Sequence, residues 1–525
     1  MNLFCLLVPI LAPVAAGILI LCLGKKPDLK TLCGISVDVL LLCLVFVVGN
    51  ALRMNSETEY VLFSFAEELQ VVLKLDAVGK LFSCLMALIW VLVALYSGEY
   101  MKEEKDWHRY FGFFVMTFGV LIGLDYAGNL LTYYVLFEFM TLLSFPLVLH
   151  EMTHESIMAA LKYLFYSLGG AFLVLFGLFY FATYGVDTAF TAGGTVTGAA
   201  MTGGMLAAVF ATVLGFSVKA GMFPLHAWLP TAHPVAPAPA SAVLSAIITK
   251  GGVLGIIRVL YFIFAPKLLA GTWVQTALLT LALITVFMGS MLAFREKLLK
   301  KRLAYSTVSQ VSYVLFGLFC LDTGDAFTGA ILQVVCHALV KSALFLCAGA
   351  IIYKTGKKYV GELEGIGKQM PVTMFFFTLA SLSLVGIPPT GGFIAKWYLA
   401  VGALNCNIPV FSVLGPAVLL VSALLTAGYL FPVSIQGYLP EIHEKLKSVD
   451  SGKEEGKRGM NETELAAQET DANVIMSVRE EEDAPAYEKK ETNWQMLFPI
   501  GCMTLLALFV GLFPGIVTQL VGRIF

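Results

Sequence analysis

The chain has 525 residues, of which 58% are hydrophobic and only 13% are charged, and its formal net charge is −2. A water-soluble protein does not need so much apolar sequence, so the composition excludes a soluble enzyme and indicates a membrane protein that crosses the bilayer many times. The small net charge says nothing about partners, and we expect no nucleic acid among them.

Apolar stretches of about 20 residues, the length that spans the hydrocarbon core of a bilayer, recur from one end of the chain to the other. We interpret the first of them as a spanning helix, not a signal peptide, because Lys25 and Lys26 follow the apolar run and do not precede it. We predict fourteen spanning helices with the approximate limits 3–23, 32–52, 77–97, 110–124, 127–149, 158–184, 203–228, 240–265, 273–294, 303–321, 326–353, 371–400, 408–436 and 494–522. The predicted fold class is an all-α polytopic membrane protein.

Basic residues are concentrated in alternate loops between these spans. The rich loops carry Lys25, Lys26, Lys30, Lys102, Lys105, Arg109, Arg295, Lys297, Lys300, Lys301, Arg302, Lys354, Lys357, Lys358 and Lys368, whereas the opposite loops carry only Arg53, Lys74, Lys80, Lys267 and Arg523. The positive-inside rule therefore predicts a cell-membrane protein with the rich loops in the cytoplasm and both termini outside. The polar segment 439–493 then becomes a cytoplasmic insert between the last two helices.

Two of the predicted helices are interrupted. Lys219 precedes a proline-rich zone that begins at Pro224, and Lys396 follows the pair Pro388 and Pro389. Proline breaks a helix, and non-helical backbone at membrane depth survives only where it is buried or lines a wet cavity. Interrupted helices in corresponding positions of two repeats mark transport sites.

The two breaks lie five spans apart, and an odd separation requires that the second unit be inverted relative to the first. We therefore predict a five-helix inverted repeat. The predicted organisation is three helices in 1–109, a first ion-translocation unit in 110–265, an inverted second unit in 266–438, the insert 439–493 and a last helix in 494–525.

Ionisable residues stand inside several of these apolar helices: Glu138, Lys219, Lys250, His337 and Lys396. Each costs roughly 2.5–3.5 kcal/mol at the centre of a bilayer, so such residues indicate a path for ions or protons. Gln333, His337 and Lys341 recur every fourth residue and predict one inward-facing polar stripe. Other residues keep two interpretations: Lys162 is a relay member or a lysine that extends to the interface, His226 and His233 are relay members or loop residues, and Arg258 is more often a structural charge.

The residues around the breaks resemble a known family. The segments are GFSVKAGMFPLHAWLPTAHPVAP, TKGGVLGIIRV, KKRLAYSTVSQVSYVLFG, QVVCHALVKSALFLCAG and SLVGIPPTGGFIAKWYL, in the family's order over roughly residues 75–435. They resemble the antiporter-type subunits: the proton-pumping membrane subunits of respiratory complex I, the Mrp-type sodium/proton antiporters and the membrane-bound hydrogenases. The lysine at position 396 resembles that of the D-type subunit of Mrp antiporters. One departure is Leu298, which stands where the family often has an acidic residue before the basic start of span ten.

The resemblance implies a relay. In the family, the glutamate at position 138 partners the lysine at position 219, and Lys250, His337 and Lys396 match further family positions, as does Lys162. Because burial disfavours a charged lysine and a nearby carboxylate favours it, a change in the Glu138–Lys219 interaction would load or unload a proton. The implied partners are other membrane subunits, including further antiporter-like ones, and the implied transported ions are protons, alone or together with Na⁺.

Three classes of function remain open: an ion-translocating subunit, which we favour, a self-contained transporter of an organic solute, and a scaffold with a vestigial channel. The sequence has no phosphate loop, nucleophile triad, metal-ligand spacing or dinucleotide fingerprint, so we expect no cofactor and no catalytic chemistry of its own. The ten cysteines are expected to be small buried thiols. The type of complex and the coupling ion stay undecided at this level.

Overall fold

The computed structural model describes residues 3–53, 59–66, 69–196, 198, 201–321, 323–439 and 488–522. Most of the insert expected at 439–493 therefore lies outside the described residues, and only its two ends can be placed.

Long helices make up nearly all of the described chain. The first half contains α1 (Leu3–Leu23), α2 (Leu29–Arg53), α3 (Ala77–Tyr100), α4 (Trp107–Asp125), α5 (Leu130–Val148), α6 (His154–Thr183), α7 (Gly203–Ala220), α8 (Leu229–Val235) and α9 (Ala238–Ile263). The second half contains α10 (Pro266–Leu269), α11 (Trp273–Arg295), α12 (Leu299–Phe319), α13 (Gly324–Thr355), α14 (Ile366–Gln369), α15 (Pro371–Val385), α16 (Gly391–Leu404), α17 (Pro409–Tyr438), α18 (Trp494–Leu512) and α19 (Gly515–Val521).

Each of the fourteen predicted spans coincides with one of these helices or with a broken pair. Within the described residues, 12 helices are long and apolar enough to cross a membrane by themselves. The other two spans have polar or interrupted sequences: α12 carries Lys300, Lys301 and Arg302 in its first turn, and the twelfth span is divided into the short apolar helices α15 and α16. The prediction of a polytopic helical membrane protein is confirmed.

Both predicted breaks are present, and a glycine ends the helix before each. Gly221 follows α7 with φ +77°, and Gly386 follows α15 with φ +93°. Only glycine adopts such backbone angles without strain. A side chain at Gly386 would also lie 3.0 Å from Cδ of Lys396, so glycine makes room for that lysine.

A β-hairpin between α2 and α3 adds a small element to the expected all-α fold. Its antiparallel strands are β1 (Glu59–Ala66) and β2 (Leu69–Lys74). Backbone hydrogen bonds from Lys74 N to Tyr126 O (2.7 Å) and from Gly128 N to Val72 O (2.9 Å) join β2 to the turn between α4 and α5. The hairpin is therefore attached to the turn between α4 and α5, on the side of the molecule where the loops carry few basic residues.

Arg258 has a structural partner at the same face. It is fully buried, and its guanidinium bonds both carboxylate oxygens of Asp76, one of them at 3.0 Å. Asp76 also accepts a hydrogen bond from Gly79 N (2.8 Å) and so caps α3. This pair joins the start of α3 to the end of α9 and satisfies a buried arginine.

Candidate ion-translocation site

Lys219 lies in the last turn of α7 and is fully buried. Its Nζ donates a hydrogen bond to the hydroxyl of Tyr163 at 2.7 Å and lies 4.0 Å from the centre of that ring. The Tyr163 hydroxyl is in turn 2.6 Å from Oγ of Ser144. A short chain of neutral hydroxyl groups therefore leads from the lysine across α6 to α5.

Glu138 lies on α5, half-buried, and interacts electrostatically with Lys219. Among the described residues no carboxylate forms an ion pair with Lys219, so the two groups are neighbours without direct contact. The partnership implied for Glu138 and Lys219 stays a prediction. Sequence reasoning did not identify Tyr163, which Lys219 contacts directly, or Ser144, which contacts Tyr163.

A close approach of two helices positions the Lys219 backbone. A Cβ added to Gly252 of α9 would lie 2.5 Å from Phe216 O and 2.9 Å from Cβ of Lys219. Any larger residue at position 252 would push α7 and α9 apart. The indole N–H of Trp228, from the segment after the break, donates to Val218 O at 2.8 Å and satisfies a carbonyl at the end of α7.

Lys250 and His337 form the central contact of the molecule. Nζ of Lys250, on α9, lies 2.6 Å from Nδ1 of His337, on α13, and both residues are almost completely buried. The same Nζ donates to Ser245 O at 3.2 Å. This contact connects the helices that the sequence assigns to the first and second units.

Lys341 lies one turn after His337 on α13, as the stripe predicts. Its Nζ donates to Oγ of Ser306 at 2.5 Å and to Leu303 O at 2.9 Å, both on α12. One turn before His337, Gln333 donates to Oε1 of Gln310 on α12 at 2.9 Å. All three residues of the stripe are buried, with Gln333 and Lys341 in contact with α12 and His337 in contact with α9.

Lys396 lies on α16, half-buried, at the second break. Its Nζ donates to Leu384 O at 2.7 Å and to Val385 O at 2.8 Å, and it lies 5.2 Å from the ring centre of Tyr313. Both carbonyls belong to the last turn of α15, where the helix supplies no internal donors and carries partial negative charge. The end of α15, at the break, therefore provides the hydrogen-bond acceptors for the amine of Lys396.

Lys162 lies on α6, in the first unit, about two turns after the start of that helix. Its Nζ donates to Oγ1 of Thr231 on α8 at 3.1 Å. It lines a pocket of about 740 Å³ between α6, α8 and the start of α12, which Lys301 also lines. His226 is half-buried, and His233 is fully buried with its ring 4.8 Å from that of Phe345.

A charge pair does occur at the start of α12, although Leu298 removes the acid expected there. Glu296, two residues earlier, lies 2.8 Å from Nζ of Lys301. Burial raises the pKa of the Glu296 carboxyl, but hydrogen bonds from Lys301 and from the backbone of Leu298 outweigh this and hold the pKa below its usual value. An acidic residue two positions earlier in the sequence therefore supplies the charge pair that Leu298 cannot form.

Lys300 is buried, whereas the next residue, Lys301, is partly exposed. Lys300 donates to Pro234 O at 3.2 Å and to Ala236 O at 2.5 Å, at the end of α8. Sequence reasoning counted it only as a loop charge. Lys300 stands in the first turn of a helix that continues as an apolar span. This position could have indicated that its side chain faces the interior of the protein.

The predicted site residues therefore form four groups. Lys250, His337 and Lys341 lie together at the centre, Lys219 lies with Tyr163 and has Glu138 as a charged neighbour, Lys396 lies at the second break, and Lys162 lies at the pocket near α8. Among the described residues no cluster of three or more His, Cys, Asp or Glu has the arrangement of a metal site. The arrangement can hold and pass protons between neighbouring nitrogen and oxygen atoms.

Comparison with known proteins identifies the family. The family model described as "NADH:quinone oxidoreductase/Mrp antiporter, TM" matches residues 127–425, and "NADH-Ubiquinone oxidoreductase (complex I), chain 5 N-terminus" matches residues 64–111. The N-type subunit of an NADH-quinone oxidoreductase from Desulforudis audaxviator is 35% identical over 68% of this chain and 70% of its own length. The D-type subunit of a Na⁺/H⁺ antiporter from Bacillus subtilis is 27% identical over 77% of this chain and 81% of its own.

Solved structures show the same fold. A chain of an Mrp complex from Dietzia superposes with a TM-score of 0.80 at 21% identity, covering 100% of this chain and 97% of that one. The family match extends over more than half of the chain and includes both breaks and the central lysine–histidine contact. The protein therefore belongs to the family of membrane-spanning subunits of NADH:quinone oxidoreductases and Mrp antiporters.

Proposed function

We propose that the chain is a membrane subunit that translocates protons, or exchanges a cation for protons, as part of a larger complex. The observation that carries this proposal is the row of buried ionisable groups, above all the contact of Lys250 with His337 across the two units. Membrane-spanning helices do not retain such groups without a function, because each lowers the stability of the inserted helix.

The charges of the central pair support proton transfer. Two positive charges 2.6 Å apart would repel each other by about 6 kcal/mol at an effective dielectric constant of about 20. The pair therefore holds at most one excess proton, carried either by Lys250 or by His337. The hydrogen bond between Nζ and Nδ1 provides the route by which it changes sides.

Each remaining group has a position in this route. Glu138 and Lys219 form the loading site, with Tyr163 as the group that Lys219 contacts in this structure. Lys341 extends the central group, and Lys396 ends the second half-channel at the break. Lys162 lies at the pocket near α8, from which protons enter the first half-channel.

The orientation is part of the proposal. The basic loops favour a cell membrane in which the ends of α1, α3, α11 and α13 face the cytoplasm. Both termini then lie outside, and the insert after α17 lies in the cytoplasm. The pocket beside Lys162 opens to the cytoplasmic face in this orientation, as a proton entrance requires.

Two kinds of complex within this family fit the chain. The similarity to the Bacillus antiporter subunit favours an Mrp-type complex with other membrane subunits, including further antiporter-like ones. The higher identity to a quinone oxidoreductase subunit favours a complex I-like or hydrogenase-like enzyme, in which redox chemistry belongs to partner subunits. Both kinds of complex would transport protons, whereas only the Mrp-type complex would also transport Na⁺.

Reconstitution of the intact complex in proteoliposomes tests the proposal. An imposed Na⁺ gradient, or an electron donor for an oxidoreductase, should change the internal pH reported by a trapped fluorescent dye. The change should disappear in a complex that carries Lys219→Ala in this chain. Uptake of an organic solute by the chain alone, without a proton signal from the complex, would overturn the proposal in favour of a stand-alone transporter.

A further inference from the structure

An acidic residue lies on the outer surface of a membrane-spanning helix. Asp38 stands in α2 and is exposed, whereas every residue of the ion-translocation site is buried or half-buried. In the part of the chain that the structure describes, the Asp38 carboxylate has no ion pair and no hydrogen-bond donor. The residue therefore belongs to no site inside this chain.

Asp38 lies at membrane depth. About 14 Å of helix separate it from Leu29 at the basic end of α2, and about 22 Å separate it from Arg53 at the other end. The thiol of Cys33 lies 3.9 Å from the carbonyl oxygen of Ala94 on α3. Asp38 is about 7–8 Å further along α2 and so is level with the middle of α3. Long basic side chains can extend to an interface from such a depth, but an aspartate is too short.

The surface of α2 around Asp38 has the composition of a contact between membrane helices. We call this surface the Asp38 face, and its residues, which follow one another at helical spacing, are Gly34, Asp38, Leu42, Val45, Gly49 and Leu52. The apolar members are exposed, up to 79% for Leu52. A Cβ added at Gly34 or at Gly49 would meet nothing within 4 Å, so neither glycine serves a contact inside this chain. Small residues on membrane helices let a second backbone approach closely.

The chain packs against the opposite side of α2. The buried residues of this helix are Leu32, Ser36, Leu40, Cys43, Val47 and Asn50. An ionisable residue in a membrane helix nearly always faces the bundle interior, a water-filled cavity or a group of opposite charge, because its exposure to lipid is costly. Since α1 and α3 lie on the other side, a compensating group for Asp38 has to come from another chain.

We propose that the Asp38 face binds a transmembrane helix of another subunit of the complex, and that this helix carries a lysine or arginine at the depth of Asp38. Charge complementarity favours this occupant, since a buried carboxylate needs a cation or several donors. A second copy of this chain is the wrong occupant. A two-fold contact through the same face would bring one Asp38 against the other, and two carboxylates would repel.

The proposal identifies a surface for the partners included in the proposed function. It rests on that function only in requiring that the chain works inside a complex, and it does not depend on which ion is transported. The open glycines explain how a basic side chain from a second helix could reach the short aspartate. An arginine there could bind both carboxylate oxygens.

The first test measures how well the complex retains its subunits. The intact complex is purified through a tag on this chain, and its membrane subunits are quantified by mass spectrometry after washing in detergent. Asp38→Leu should lower the amount of one subunit at least tenfold, because the cation of that subunit loses its counter-charge. Asp38→Glu should retain it. Glu103→Leu, at an exposed carboxylate in the loop after α3, is the control and should change nothing.

A lipid-facing aspartate predicts the opposite sign. Removal of a carboxylate from lipid lowers no contact, so Asp38→Leu would then retain every subunit at least as well as wild type, and this result would overturn the proposal. Recovery of the wild-type chain without any other membrane subunit would instead contradict the proposed function. The comparison of wild type with Asp38→Leu therefore separates the two failures.

The second test identifies the bound helix. A photo-crosslinking amino acid in place of Val45 should form a link to a transmembrane helix that has a lysine or arginine within one turn of the depth of Asp38. The same amino acid in place of Leu424, exposed on α17, should not yield that peptide. Asp38→Lys combined with an aspartate at the basic position of the partner should restore the subunit that either single change loses. Links only to lipid, to a second copy of this chain or to a helix without a basic residue would contradict the proposal.

Discussion

Nζ of Lys250 lies 2.6 Å from Nδ1 of His337, and this contact joins α9 to α13 in the interior of the protein. Nδ1 can accept a hydrogen bond from a charged lysine only when the imidazole is neutral. A hydrogen bond between the two nitrogens therefore excludes the state in which both groups are charged, and the pair holds at most one excess proton, which either nitrogen can carry.

The first prediction follows from this contact. His337→Gln retains an oxygen that can accept a hydrogen bond from Lys250, but an amide does not take up the proton. We expect proton translocation to fall at least tenfold in the assembled complex, as measured by the internal pH of proteoliposomes. His154→Gln, at an exposed histidine that begins α6, serves as the control and should translocate normally. Normal activity in His337→Gln would exclude the imidazole as a proton carrier.

The second prediction concerns Lys219. Lys219→Ala removes a buried charge without breaking an ion pair, so the complex should assemble while translocation is abolished. Lys219→Arg should also fail, because arginine does not release its proton in this pH range. Tyr163→Phe removes only the hydroxyl partner, and we expect a slower but measurable rate. Lys267→Ala, at an exposed lysine of α10, is the matched control. Wild-type rates in an assembled Lys219→Ala complex would contradict the relay.

The third prediction tests whether the two halves act in series. Lys396→Ala should reduce translocation as severely as Lys219→Ala, because carriers in series fail at the weakest member. The double variant should then be no worse than either single variant, the non-additivity expected of residues that act as a unit. If Lys396→Ala instead retains half of the activity and the double variant loses the rest, the halves conduct independently.

The fourth prediction is topological. Single cysteines introduced at Lys297 and Lys358, both exposed, should react with a membrane-impermeant maleimide only when the cytoplasmic face is open to the reagent. A cysteine at Lys267 should react from the outside. The same labelling in the insert 439–493 should follow the cytoplasmic pattern. Reaction of the insert from outside would show that one span before it has been miscounted.

The fifth prediction concerns the end of the insert. The Glu491 carboxylate accepts hydrogen bonds from Val372 N at 2.7 Å and from Oγ1 of Thr373 at 2.5 Å, and so caps α15. Deletion of 450–485, which keeps this cap, should leave translocation within about twofold of wild type. Glu491→Ala should lower stability by about 1–2 kcal/mol, the usual loss for a helix cap, whereas Glu488→Ala at an exposed position should not. Thermal unfolding of the purified complex measures both.

The sequence by itself determined the class, the approximate spans, the two breaks and the ionisable residues inside the apolar helices, but not the burial of Lys300 or Asp76 near the helix starts. These properties are local, because hydropathy over about 20 residues decides whether a helix enters the bilayer and proline and glycine act on the backbone where they stand. For the same reason the stripe from Gln333 to Lys341 could be assigned to one buried face before its neighbours were known.

Only the tertiary structure decided the contacts. That Lys219 meets Tyr163 and that Lys250 meets His337 depends on how helices are rotated and how closely glycines let them approach. The β-hairpin escaped prediction because its two short strands are stabilised by their pairing with each other and with the turn at Tyr126, not by a long apolar run. Hydropathy contains no information about the rotation of one apolar helix against another, so the partners of buried charges are set by packing alone.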